Sequence, residues 1–122
     1  MGMVGLMNNL SREGASHNVR TNCLSPGAST RMTASVPGSK ADPDNPAPES
    51  HPKLVSPAVL YMCGEDAPNG RIIQAMGGRF STNVVVANDP VDLGVDATYE
   101  DLEPRIEEVL DITDAKPNPQ FG

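Results

Sequence analysis

Tryptophan is absent from this chain, and two tyrosines and two phenylalanines are its whole aromatic complement in 122 residues. Aromatic rings bury the largest apolar areas in ordinary cores, so their scarcity predicts a small nucleus. Hydrophobic residues reach only 38%, while prolines number 12 and glycines 11, a balance that favours long loops around that nucleus. Basic groups are also few: 9 Lys and Arg stand against 16 Asp and Glu, for a net charge of −7. Phosphate-backbone binding draws on clustered cations that release counterions, so no nucleic-acid partner is expected. No apolar run is long enough to span a bilayer. The opening Met1-Gly2-Met3-Val4-Gly5-Leu6-Met7 lacks a basic leader and breaks at Asn8-Asn9, so it reads as neither signal peptide nor membrane segment, and no membrane partner is expected.

Other chemistries lack their minimum parts. Cys23 and Cys63 are far apart, form no Cys-x-x-Cys pair and each sit in an apolar run, which predicts two buried thiols in a reducing compartment and a cytoplasmic protein. His17 and His51 have no third ligand at metal spacing, and the late acids from Asp89 to Asp114 lack the alternation of a calcium loop, so no metal site is expected and the acids read as a solvated face. No Gly-x-Ser-x-Gly elbow accompanies Ser11, Ser25 or Ser29. Gly77-Gly78 lacks the third glycine and the following helix of a phosphate loop, and the sequon Asn9-Leu10-Ser11 falls on an expected helix.

What is present is a short series of elements. Met3, Leu6, Met7, Leu10 and Gly14 recur at helical spacing and predict an amphipathic helix over 2–15 that opens without a capping side chain. After His17-Asn18, Val19 to Leu24 reads as a strand that breaks at Ser25-Pro26-Gly27. From Ala34 to Pro52 the Pro, Ser, Asp, Asn and Gly content predicts an irregular loop, lid or disordered. Ser56 as cap and Pro57 at the first helical position predict a short helix through Cys63, stopped by Gly64. Asn69-Gly70 turns the chain into a second strand over 71–76, closed by Gly77-Gly78. Val84–Val86 reads as a short edge strand. Thr98 caps a helix to about Leu110 with an apolar stripe of Leu102, Ile106, Val109 and Leu110, unless Pro104 delays its start. The tail from Lys116 is expected to fray.

A strand ending in a Pro-Gly turn at the carboxyl edge of a parallel sheet is where open α/β sheets bind ligands, which makes the run 18–33 a candidate nucleotide-binding edge. Several of these pieces, in order over residues 2–78, resemble the carboxyl-terminal part of a short-chain dehydrogenase/reductase. Val19-Arg20-Thr21-Asn22 with Pro26-Gly27 resembles the family's sixth strand and its turn, and Thr30 with Met32 resembles the Thr-x-Met that follows. Ser56 to Met62 and Asn69 to Ile73 resemble the last crossover helix and final strand, and Ala75-Met76-Gly77-Gly78 the usual ending of that strand. The Pro-Gly-x-x-Thr-Arg-Met-Thr spacing and the acidic extension are most similar to the dehydrogenase module of peroxisomal multifunctional enzyme type 2 and its bacterial relatives.

The resemblance implies an α/β fold, the carboxyl-terminal part of a Rossmann-like doubly wound parallel sheet, incomplete and with long loops. It implies 1–80 as the dehydrogenase part, with a lid-like loop at 34–55, and 81–122 as an acidic helical extension and tail. The implied activity is hydride transfer between NAD or NADP and a hydroxy or keto substrate, with Pro26, Gly27, Ala28 and Thr30 at the nicotinamide end of the cofactor site. The family's Gly-rich loop, Asn-Asn-Ala-Gly, catalytic Ser and Tyr-x-x-x-Lys have no counterpart, since neither Tyr61 nor Tyr99 has Lys four residues on. No catalytic residue is therefore assigned, and a truncated or mis-started chain, inactive alone, is expected. The alternative is a non-catalytic interaction fragment that self-associates or pairs with a full-length subunit.

Overall fold

The computed structural model describes residues 1–118, and the end of the expected frayed tail lies outside them. Contacts divide the chain into two compact units, Met1–Asn83 and Val84–Gly122.

In the first unit, α1 (Gly2–Ala15) opens with no side-chain cap, as its sequence predicts. It ends where Asn18 takes φ 55° and the Val19 amide donates back to the Gly14 carbonyl at 2.9 Å, an αL ending that asparagine tolerates. The packed face shares only Met7 and Gly14 with the expected apolar stripe. Met7, Asn8 and Ser11 are buried, while Met3, Leu6 and Leu10 stay exposed. The reason lies in the neighbour: Ser11 meets the Asn69-Gly70 turn, whose Asn69 Nδ2 donates to the Ser11 carbonyl at 2.9 Å, so polar groups share the contact.

Strand β1 is Cys23–Gly27, not the expected Val19–Leu24, and it pairs in parallel with β2 (Ile72–Met76), Cys23 opposite Ile72 and Gly27 opposite Met76. The expected break at Ser25-Pro26-Gly27 is thus the second half of the strand. Proline fits because the Cys23 amide donates to the Arg71 carbonyl at 2.9 Å, and alternation then turns residues 24 and 26 toward the open edge, where no amide is needed. Asparagines fasten the entry: Asn22 Nδ2 donates to the Pro68 carbonyl at 2.7 Å, and its Oδ1 accepts from the Arg71 amide at 3.0 Å. Cys23 Sγ lies 3.5 Å from the Met3 carbonyl of α1, whereas Leu24 lines a cleft with Val59 and Met62 of α3 (Ser56–Met62). Successive strand residues face opposite ways, so α1 and α3 flank the sheet on its two sides.

Gly77 and Gly78, at φ 57° and 72°, form a two-residue hairpin loop into β3 (Arg79–Asn83), which pairs antiparallel with β2. The sheet is therefore mixed, in order β1-β2-β3. A four-residue helix, α2 (Arg31–Ala34), leads into the stretch 34–52 expected to be irregular, which holds a 3-10 turn at Pro48–Ser50 and ends in a second at Pro52–Leu54, each turn opened by proline. Helix α3 begins at Ser56 itself, with Val55 as the flanking residue and no side-chain cap, so Ser56 is not the expected cap. Met7, Ala58, Ala67 and Ala75 are the buried apolar residues, and Met7 is the one large side chain among them. Cys63 is exposed and Cys23 half-buried, against the expectation of two buried thiols.

The second unit pairs β4 (Val86–Ala87) antiparallel with β5 (Lys116–Pro117), so the tail is ordered at those two residues rather than frayed. Thr98 heads α4 (Tyr99–Leu102) in a capping box with Asp101, and Pro104 breaks the expected single helix with a 3-10 turn before α5 (Ile106–Leu110). Asn88 Nδ2 donates to the Val109 carbonyl at 2.9 Å, closing the end of α5. The acids of 89–114 are all exposed, and none of the unit's described residues is buried.

Candidate functional site

The four residues singled out in the sequence lie together where β1 ends and α2 begins. Pro26 and Thr30 are exposed, Gly27 and Ala28 half-buried, and Ser29 between them is buried. Two clefts meet on this turn. Pro26, Ala28 and Thr30 face Pro52, Val55 and Leu60 across an apolar cleft of about 490 Å³. Gly27 and Ala28 face Lys40, Glu49 and Met76 across another of about 370 Å³.

Thr30 sits at the cap of α2, where its Oγ1 accepts from the Thr33 amide at 3.3 Å and the Thr33 Oγ1 accepts from the Thr30 amide at 2.7 Å. The Thr33 hydroxyl has acceptors in the Thr30 carbonyl at 2.8 Å and the Ala28 carbonyl at 3.2 Å. A hydroxyl has one hydrogen, so with that of Thr33 committed to carbonyls, the Thr30 hydroxyl donates to Thr33 Oγ1 at 3.2 Å, a bond it must exchange to donate to a ligand. The missing side chain of Gly27 makes room for Met76. A Cβ there would stand 2.7 Å from Met76 Cε and 2.8 Å from Met76 Cγ, so the space a side chain would fill is already taken by Met76. The residues present thus fit a cofactor's amide or phosphate oxygen at Thr30 and the backbone of Pro26 and Ala28, and do not offer Gly27 Cα on the Met76 side.

Sequence reasoning missed Ser29. Its amide donates to the Ser50 carbonyl at 2.8 Å and its hydroxyl to the Asp42 carbonyl at 3.1 Å. Nothing local marks it, since both partners come from a distant loop. Across the sheet end, Gly77 gives room to the Glu49 carbonyl, which would stand 3.0 Å from a Cβ placed there. Of the tyrosines, Tyr61 is an exposed residue of α3, and Tyr99, in the second unit, donates its hydroxyl to Glu103 at 3.0 Å. Among the described residues no three His, Cys, Asp or Glu side chains gather to hold a metal, and no helix is long and apolar enough to cross a membrane.

No protein-family profile matches the chain. A Mycobacterium tuberculosis protein assigned to the short-chain type dehydrogenase/reductases is 32% identical over 117 residues, 95% of this chain and 39% of that protein. Peroxisomal multifunctional enzyme type 2 of Drosophila melanogaster is 39% identical over 79 residues, 64% of this chain and 12% of the enzyme. The full-length structure of that fly enzyme matches 97% of this chain at a TM-score of 0.72 and 28% identity, using 21% of its own length. A short chain dehydrogenase from Mycobacterium avium matches 99% of this chain at a TM-score of 0.65 and 20% identity, a likeness of fold, over 38% of its length. The chain therefore spans well under half the length of the proteins it matches.

Proposed function

This chain is a carboxyl-terminal part of the short-chain dehydrogenase/reductase family, and from that premise we propose that it supplies the nicotinamide end of the family's cofactor site. The observation that carries the reading is the parallel pair β1–β2, with Pro26, Ala28 and Thr30 at its carboxyl end beside an apolar cleft. That is the edge at which open α/β sheets take nucleotides. Thr30 would turn its hydroxyl hydrogen from Thr33 Oγ1 to the carboxamide or pyrophosphate oxygen of NAD or NADP. The backbone at Pro26 and Ala28 forms the wall of the ring's pocket, with the half-buried Val55 on its apolar side. When bound, the cofactor supplies the hydride chemistry, exchanged with the carbon of a hydroxy or keto substrate.

We assign the substrate to the 3-hydroxyacyl thioester class, on the likeness to the multifunctional enzymes. The proton transfer needs a tyrosine and lysine pair that this sequence does not hold, so the chain alone is inactive. A reducing, cytoplasmic setting accords with two free cysteines.

A fusion tests the reading: the part of the Mycobacterium tuberculosis relative that this chain does not match, joined to this chain. The fusion is expected to bind NAD(P)H and to oxidise a 3-hydroxyacyl thioester, with Thr30→Val weakening cofactor binding and Thr30→Ser preserving it. A folded fusion that binds neither cofactor refutes the site, and turnover by the unfused chain refutes its inactivity.

A second reading rests on exposed apolar groups. Met3 on α1 is 71% exposed and Leu60 on α3 74%, with Leu6, Leu10 and Tyr61 also open. Such surface favours self-association or docking on a full-length subunit. Light scattering across a concentration series tests it, and a monomer at all concentrations that also ignores the full-length subunit refutes it.

A further inference from the structure

The turn that leads into β2 is stitched to residues 21 and 22 at every position. The Pro68 carbonyl accepts from Asn22 Nδ2 at 2.7 Å, Asn69 Oδ1 from the Thr21 amide at 2.9 Å, and Asn22 Oδ1 from the Arg71 amide at 3.0 Å. Between them the Gly70 amide donates to the Thr21 carbonyl at 2.9 Å. Asn69 Nδ2 reaches the other way, to the Ser11 carbonyl of α1 at 2.9 Å. Gly70 is buried at φ 71°, with Ser11 Oγ 3.2 Å from where a Cβ would stand. Asn69 is also the one asparagine of the sequence followed by glycine. A backbone nitrogen reaches the side-chain carbonyl carbon of the residue before it most readily when no Cβ of its own obstructs the approach.

We propose that Asn69 is a deamidation site, held shut in the folded turn, whose conversion releases α1 from the turn that enters β2. The Gly70 nitrogen loses its proton to solvent base and bonds to Asn69 Cγ, the Cγ–Nδ2 bond breaks, and Nδ2 leaves as ammonia from a cyclic imide. Water then opens the ring. Cleaving the new N–Cγ bond leaves aspartate, and cleaving the bond to the Asn69 backbone carbon leaves an isoaspartyl link that lengthens the main chain by one carbon. The sum is asparagine plus water to acid plus ammonia, with no oxidant or reductant. The fold opposes the first step and amplifies the last. To attack, Gly70 must leave the Thr21 carbonyl and Asn69 must turn away from both of its partners, so three hydrogen bonds are lost before the ring closes. After conversion a carboxylate oxygen replaces the donor to the Ser11 carbonyl and repels it, and the isoaspartyl form also carries Gly70 out of register with Thr21. The inference concerns the chain's own chemistry and stands apart from the dehydrogenase reading.

Mass spectrometry of the tryptic peptide 54–71, which holds no other Asn or Gln, reads the conversion during incubation at mildly alkaline pH, with and without enough urea to unfold the chain. Three bonds lost together are expected to make the folded chain react at least about tenfold more slowly than the unfolded one, and both aspartyl and isoaspartyl products are expected. Equal rates overturn the shut site, and aspartate alone, the product of direct water attack, overturns the ring. Asn69→Asp isolates the consequence: amide exchange at 11–15 of α1 is expected to rise about three- to tenfold, the effect of one lost hydrogen bond, with the Cys23 amide, bonded to Arg71, unchanged. Unchanged exchange in α1, or protection lost at Cys23 as well, overturns the release of α1, and the rate comparison on the unsubstituted chain decides the site whether or not this variant folds.

Discussion

One substitution made twice in α1 is expected to have opposite signs. Gly5 is an exposed interior position, and a Cβ added there meets nothing within 4 Å. Alanine spares the unfolded chain some entropy and favours the helix, so Gly5→Ala should stabilise by about 1 kcal/mol. Gly14 lies on the packed side. A Cβ there would stand 2.7 Å from the Val19 carbonyl oxygen and 3.0 Å from Val19 Cβ. No rotamer change moves a backbone oxygen, and Val19 is itself held by its amide bond to Gly14. Relief must come from shifting α1 against the chain that leads into β1, an overpacking cost of about 1–3 kcal/mol that outweighs a helix gain of about 1 kcal/mol or less. The two variants should therefore differ by about 2 kcal/mol, on the order of 8–16 °C in midpoint for a domain of this size. Urea melts followed by far-ultraviolet circular dichroism, with equal slopes, provide the measurement. If Gly14→Ala stabilises as much as Gly5→Ala, the account of how α1 seats on the strand is wrong.

Three further outcomes can be checked. Asn69 accepts from the Thr21 amide and donates to the Ser11 carbonyl, both at 2.9 Å, so Asn69→Ala should cost about 1–3 kcal/mol, while loss within error would show that water replaces both bonds. Asp101 is held below its ordinary value by the side-chain and then the backbone hydrogen bond of Thr98. Its folded form thus favours the carboxylate, so the α4 cap is at full strength above the unfolded value of about pH 4 and fades as pH falls through the lower folded value. Amide chemical shifts of 98–102 should follow that acid titration, and Asp101→Asn should abolish it. Asn88→Ala uncaps α5 and should speed exchange in the second unit, at 106–111, with no change at Cys23.

The sequence made the two parallel strands legible because apolar runs are bounded by strong turn residues at both ends, as at Asn69-Gly70 and Gly77-Gly78. It misplaced β1 because Ser25-Pro26-Gly27 carries turn chemistry locally, and only pairing with β2 keeps it extended. It missed β3, whose five residues are all exposed and include one large apolar side chain, Phe80. The two-glycine loop before it was the available signal. The stripe on α1 misled for a similar reason: the buried face is chosen by what lies against it, and the Asn69-Gly70 turn takes Ser11 rather than Leu6 and Leu10. At the candidate site, family likeness pointed to Pro26, Gly27, Ala28 and Thr30, and local chemistry gave Thr30 its cap. The role of Ser29 was illegible because Asp42 and Ser50 reach it only once the chain has folded.

Pro26 also decides what the rim of this small sheet can template. A strand arriving beside β1 finds the Leu24 amide and then, two residues on, a ring with no hydrogen to give. Stacked fibrils grow by repeating donors in register, and here the repeat fails after one step. Growth from this rim should stall, which leaves the outer rim of β3, with no proline in Arg79–Asn83, as the place where ordered stacking would start.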